Sequence, residues 1–297
     1  MNPTPARTAA LFIVVTAVAA AVLVASGLRG RDERARCGAG FVAHGARCLA
    51  ADGSRCPAPL VSTPHGCDAP DRRLEVPATS VLVGPSDWEA EGRISARAVR
   101  VQGFRIDAFE VTRGRWGTVE DGDGARAASA MTRAEAAAFC ASRGGRLPTE
   151  DEWIVAAASA ANPPRRYPWG DTGAVCRRAA WGLADGPCER EGDGPDTVGA
   201  HPDGDSPWGL HDLAGNVAEW VAADARKPET GVAKGGSWQS SLATDLRIWA
   251  RLELSPDARD PRVGVRCAYS QGDAGEGGSA TPVPLGDDGD GASRAVK

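Results

Sequence analysis

The sequence predicts an α+β protein with little regular secondary structure, on three observations. Short runs with strand character come first: Leu74 to Pro77, Ser80 to Gly84, and the alternating stretch Val99 to Asp107. Two helices follow, each opened by a capping box, Thr132-Arg-Ala-Glu135 and Thr149-Glu-Asp-Glu152. In such a box the hydroxyl and the carboxylate each satisfy a backbone N–H that the helix leaves unpaired. The rest of the chain to Cys267 is broken by Gly, Pro, Asp and Ser turns. At 297 residues and 42% hydrophobic content it is long enough for one large domain or two small ones. Net charge is −5 with dispersed Lys and Arg, which leaves no nucleic-acid footprint.

Residues 1–8 form a short tail, and residues 9–28 run without a charge for about 20 residues, enough to span a bilayer. Two readings stand side by side: a transmembrane anchor that stays, or a signal sequence cut after Ser26, where Val24-Ala25-Ser26 offers small residues. Arg29, Arg31, Arg34 and Arg36 follow the run, and by charge they would stay cytoplasmic. The cysteines argue the opposite. Eight are present, an even count, and residues 29–73 hold four of them in a repeat. Cys37 to Cys48 and Cys56 to Cys67 share one frame, with ten residues between the cysteines of each. So short a segment cannot bury its own core, so disulfides Cys37–Cys48 and Cys56–Cys67 are expected to close each repeat. Zinc would require closer pairs. The expected location is therefore the cell membrane, single-pass, with the bulk of the chain extracytoplasmic, or secreted if the leader is cut.

The first helix should end at Gly144-Gly145 and the second should place Trp153, Ile154 and Ala157 on one face before Asn162-Pro-Pro stops it. Residues 165–206 read as loops, pinned by a local Cys176–Cys188 bond. Arg247 to Arg251 and Arg262 to Arg266 read as the last strands, with arginines bridging carboxylates. Residues 271–297 are Gly/Asp-rich, as disordered tails are. Asp121-Gly-Asp123-Gly124 lacks the closing Glu of an EF-hand.

The stretch Trp208-Gly-Leu-His-Asp-Leu-Ala-Gly-Asn-Val-Ala-Glu-Trp220 is the centre of the chain, with Gly235-Gly-Ser-Trp238 behind it. Gly215-Asn216 is turn chemistry, and Asp212 and Glu219 put hard oxygens around it, as calcium accepts. The same acids could equally face water at a tight turn. Together with Gly145-Arg-Leu-Pro-Thr-Glu150-Asp-Glu-Trp153, Trp169-Gly170, Arg247, Arg251 and Gly264-Val-Arg266-Cys267, this order of motifs resembles the formylglycine-generating enzyme, or sulfatase-modifying factor, family over residues 74–270. The resemblance implies an elaborated C-type-lectin-like fold and a structural disulfide Cys140–Cys267. It also implies one calcium on Glu219 and backbone oxygens of Asp212, Gly215 and Val217. The second calcium of the family is not expected, because Ala180 stands where an Asn would precede Trp181.

The family's copper-binding cysteine pair would lie just after Gly-Gly-Ser-Trp. Here those positions hold Ser240 and Thr244 or Asp245. A hydroxyl cannot replace a soft thiolate on copper(I), so copper-dependent oxidation is not expected. The iron branch of the superfamily uses a histidine set, and His44, His65, His201 and His211 are not spaced as one. A Ser240/His211/Asp245 triad has no nucleophile elbow to support it. The expectation is an envelope binding module taking a peptide or glycan in a cleft of Trp208, Trp238, Ser240 and Arg247, with no catalytic residue assigned. An oxidoreductase working without the cysteine pair is the alternative, and a structural envelope component the third reading.

Overall fold

The computed structural model describes residues 41–44, 47–50, 56–63, 66–85, 92, 94–118, 124–161, 165–190 and 193–271. The expected membrane segment 9–28, Cys37 and with it the expected Cys37–Cys48 bond, Asp121 to Asp123 and the tail beyond 271 lie outside the described residues. Among the described residues no helix is long and apolar enough to cross a membrane.

The cysteine repeat is a repeat of structure. β1 (Phe41–His44) and β2 (Arg47–Ala50) form one antiparallel hairpin, and β3 (Val61–Thr63) and β4 (Gly66–Asp68) form another. Cys48 lies opposite Ala43 and Cys67 opposite Ser62, the same frame position in each unit. The second hairpin is closed by the Cys56–Cys67 disulfide.

β5 (Arg73–Val76), β6 (Thr79–Val83), β7 (Arg97–Val101) and β8 (Phe104–Asp107) follow. The sequence reading took Val99 to Asp107 as one strand, and the structure breaks it at Gln102-Gly103. β7 pairs only with β6, while β8 pairs with β5 and with β13 (Ala268–Ser270). The alternation slips by one residue at the break, from Val99 and Val101 to Phe104 and Ile106, and that slip is the mark of the change of sheet. Beyond it come a single helical turn, α1 (Arg113–Trp116), and the two expected helices, α2 (Arg133–Ser142) and α3 (Glu150–Ala158). Both capping boxes form, with Thr132 N–H donating to Glu135 Oε2 at 2.9 Å and Thr149 N–H to Glu152 Oε2 at 2.8 Å. Residues Trp153 to Ala158 are all buried, so α3 has no solvent face beyond its first turn, contrary to the one-sided helix expected. It ends at Ala158, before Asn162-Pro-Pro, because Ser159 and Ala160 take left-handed backbone.

A four-stranded sheet completes the molecule, in the order β11 (Leu252–Leu254), β10 (Gly231–Lys234), β9 (Ala218–Trp220), β12 (Val263–Gly264). β12 runs parallel to β9, and the other pairings are antiparallel. Arg247 to Arg251 is not a strand, and Arg262 to Arg266 contributes only Val263-Gly264. Loop 165–190 has no helix or strand of its own, yet Tyr167, Trp181 and Leu183 pack with Trp238 in a satellite core. Cys176–Cys188 closes that loop. Cys140–Cys267 joins the end of α2 to the chain before β13, across a separation of 127 residues.

A crosslink over a long loop removes more unfolded-chain entropy than one over a short loop. Replacing Cys140 and Cys267 together by Ala is expected to lower the unfolding free energy by about 5 kcal/mol, against about 3 kcal/mol for Cys176 with Cys188. Urea denaturation of the two double variants checks the order, and equal losses would refute it.

Candidate functional site

Turn chemistry at the centre holds. Asp212, Gly215 and Asn216 have φ of 56°, 85° and 52°. Gly215 has no alternative, since a Cβ there would sit 2.5 Å from Ala180 O. Asn216 is fully buried and ties three segments together. Its Oδ1 accepts the Asp196 N–H at 2.7 Å, its Nδ2 donates to Glu110 Oε2 at 2.5 Å, and its carbonyl accepts the Trp238 N–H at 2.8 Å. Asp196 in turn accepts from Arg190 at 2.9 Å and pairs with His201 at 3.3 Å, all three side chains buried.

Glu219, the expected calcium ligand, is committed to protein donors. Its Oε1 accepts Nε and Nη2 of Arg266 at 2.9 and 2.7 Å, and its Oε2 accepts the indole N–H of Trp153 at 2.7 Å. Arg266 also donates to Asp107 O at 3.0 Å and His211 O at 2.6 Å. Asp212 turns its carboxylate to the Gly199 N–H at 2.5 Å. The residues present do not fit a calcium ion at Glu219, because the guanidinium already supplies the positive charge there and both carboxylate oxygens are engaged. Among the described residues no three His, Cys, Asp or Glu side chains gather as a metal cage. Three acids therefore face one cation. Burial, followed by the charges of Asp212 and Glu219, pushes the Glu110 carboxyl well above the usual range, with Arg266 opposing. Burial likewise raises Asp212.

Behind Gly235-Gly-Ser lies an open cavity of about 300 Å³. Gly235 and Gly236 have φ of 97° and 71° and lie so close to Leu213 O and Asp245 O that a Cβ on either would reach within 3 Å. The backbone thus forms one wall. Ser237, Gln239, Ser240, Ser241, Asp245, Arg251 and Arg262 add hydroxyls, an amide, a carboxylate and two guanidiniums. Of the four expected cleft residues the structure brings only Ser240 here. Trp238 is buried, with its indole N–H on Pro261 O at 3.2 Å. Trp208 packs against the main core, and Arg247 lies over the Tyr167 ring at 5.0 Å. Large aromatics beside a glycine turn look like a ligand platform in sequence, but here they fill the core under the turn. His211 stacks on Phe109 at 4.2 Å and pairs with Asp205 at 2.8 Å, so it is not a partner for Ser240.

Residues 128–271 match the profile of the sulfatase-modifying factor enzyme 1-like domain. The chain carries a domain of this family. It is 35% identical over 147 residues to the inactive C-alpha-formylglycine-generating enzyme 2 of Bos taurus, covering 46% of this chain and 48% of that protein. A hercynine oxygenase of Mycobacterium tuberculosis is 34% identical over 211 residues, 63% of this chain and 43% of that one. The formylglycine-generating enzyme of Thermomonospora curvata is 34% identical over 159 residues, covering 45% and 52%. The chain thus spans about half the length of the curated relatives it matches. Among solved structures, PvdO from Pseudomonas aeruginosa superposes with a TM-score of 0.56 at 18% identity, covering 73% of this chain and all of that one. Treponema denticola variable protein 1 gives 0.55 at 20%, covering 67% and 94%. At those identities the likeness is one of fold.

The sulfatase-modifying factor domain also contains a buried amine that the sequence reading passed over. Lys234 ends β10 directly before Gly235-Gly236, with no solvent exposure, and its Nζ lies 3.4 Å from Glu150 Oε1 and 3.3 Å from Trp249 O. A lysine closing the apolar run Val232-Ala233 was the available signal. Burial lowers its pKa from 10.5 to about 8, against the pull of Glu150.

Two outcomes follow from these buried charges. Arg266→Met strands Glu219 and is expected to cost about 3–5 kcal/mol in chemical denaturation; a loss below 1 kcal/mol would remove the pair from its central place. For Lys234, the unfolded chain holds a proton between pH 8 and 10.5 that the folded chain has released. Stability relative to Lys234→Met should therefore rise with pH across that window, by about 3 kcal/mol in total. Unfolding curves at pH 7.5 to 10.5 measure it, and a flat difference would refute the assignment.

Proposed function

We propose that the chain is an extracytoplasmic binding module that takes a peptide or glycan in the Gly235–Ser241 cavity and does not oxidise thiols through copper. The membrane segment 9–28 anchors it, or releases it if cleaved. One observation carries the reading. Where the resemblance puts a thiol pair, the cavity presents Ser240 and Asp245, whose hard oxygens do not hold copper(I). Each cysteine whose side chain is described is in a disulfide, at Cys56–Cys67, Cys140–Cys267 and Cys176–Cys188. Disulfides of this density support an oxidising compartment. The wall of hydroxyls, amide and paired guanidiniums matches a ligand rich in hydroxyl or amide groups, held by hydrogen bonds rather than by net charge. Arg262 is bound bidentately by Asp260 at 2.9 and 2.6 Å, and Arg251 lies 3.4 Å from Glu150.

A second reading, an oxidoreductase without the cysteine pair, draws on the hercynine oxygenase likeness, which extends over 63% of this chain. Two measurements test these readings. Incubated in air with copper(I) and a cysteine-containing peptide, the chain should consume thiol no faster than a protein-free control, and faster turnover would overturn the binding-module reading. The second reading predicts a redox metal copurifying with the chain, and elemental analysis without one would count against it. In parallel, Ser240→Trp should abolish capture of whichever members of a peptide and glycan panel the parent chain retains. Retention by that variant would move the ligand site elsewhere.

A further inference from the structure

An apolar groove of about 620 Å³ runs along α2. We propose that it is the docking site of a segment of the same chain, Thr281 to Leu285. Ala134, Ala137 and Ala141 line one wall, at the spacing of one helix face, with Leu147, Ala222 and Pro256 opposite. Its rim charges cancel. Arg146 is held bidentately by Glu152 at 2.6 Å on both nitrogens, and Arg133, bound to the carbonyls of Thr230 and Pro228, is balanced in the lining by the acid of Asp257. Such a groove selects an uncharged, apolar occupant.

Four observations single out the segment. Ala268 is bridged to Arg146 on the rim, and β13 ends two residues later, so the chain leaves beside the groove. Within 272–297 only Thr281-Pro-Val-Pro-Leu285 brings two large apolar side chains close together, and it carries no charge. Nine residues, Gly272 to Ala280, separate the described chain from that segment, and a Gly-rich linker of nine residues typically spans about 16 Å. That distance matches the length of α2, about 15 Å for its ten residues, and a matched tether gives the highest effective concentration. Finally, Pro282 and Pro284 have no N–H to leave unpaired against an apolar wall, and both prefer extended backbone.

The test uses the full chain with the photo-cross-linker benzoylphenylalanine at position 285. Irradiation is expected to give crosslinks within one chain, mapped by mass spectrometry to residues 134–147, 222 or 256. Ala137→Arg should lower their yield about tenfold, the loss expected from excluding one buried aliphatic side chain. Val283→Asp, which leaves the described fold untouched, should do the same. Crosslinks between two chains, crosslinks scattered elsewhere, or a yield indifferent to Val283→Asp would each overturn the proposal.

Discussion

The Arg266–Glu219 pair, with the Trp153 indole on the remaining carboxylate oxygen, is the constraint around which the domain is arranged. Taking an isolated guanidinium and carboxylate from water costs several kcal/mol each, and the cost is met only where every donor and acceptor finds a partner. Here the donors reach Glu219, the carbonyl of Asp107 at the end of β8, and the carbonyl of His211 in the central turn. One side chain thereby fixes the relative position of the two main sheets, α3 and the turn. Cys267, the next residue, ties the same segment to α2 covalently.

The calcium that the resemblance implies has its role taken over by this arrangement. A cation at Glu219 would have to displace Arg266, leaving a buried guanidinium without its anion. Negative charge is nevertheless in excess around the turn and, after burial, adds to the upward push on the Glu110 carboxyl, which accepts from Asn216 and Val217. The turn is stiffened by protein hydrogen bonds from Asn216, Arg190 and Asp196, the task metal ions perform in loop-rich folds. A rigid turn in turn holds Gly235-Gly236 against Leu213 and Asp245 and keeps the cavity open beside them.

Much of the fold was legible where local chemistry decides structure. The two capping boxes gave both helices, because their hydrogen bonds close within four residues. The cysteine frame gave a repeat that proved to be two hairpins in one register. Gly215-Asn216 gave its turn because left-handed backbone restricts the residue types that can be there. The candidate site was legible only in part. Ser240 and Asp245 line one cavity, and a position replaced within a motif is visible along the chain. Trp208, Trp238 and Arg247 were misplaced, since a tryptophan that fills a core and one that lines a cleft read alike.

By itself, then, the sequence determined the helices, the turn and the local disulfides Cys56–Cys67 and Cys176–Cys188, each a property of residues near one another in the chain. Only the tertiary structure decided which carboxylate meets which cation, why α3 is buried on every side, why Val99 to Asp107 serves two sheets, and that Lys234 is enclosed. Those outcomes depend on contacts between residues as far apart as Glu219 and Arg266 or Glu150 and Lys234. Burial and electrostatic pairing are properties of three-dimensional neighbours, and no spacing along the chain encodes them.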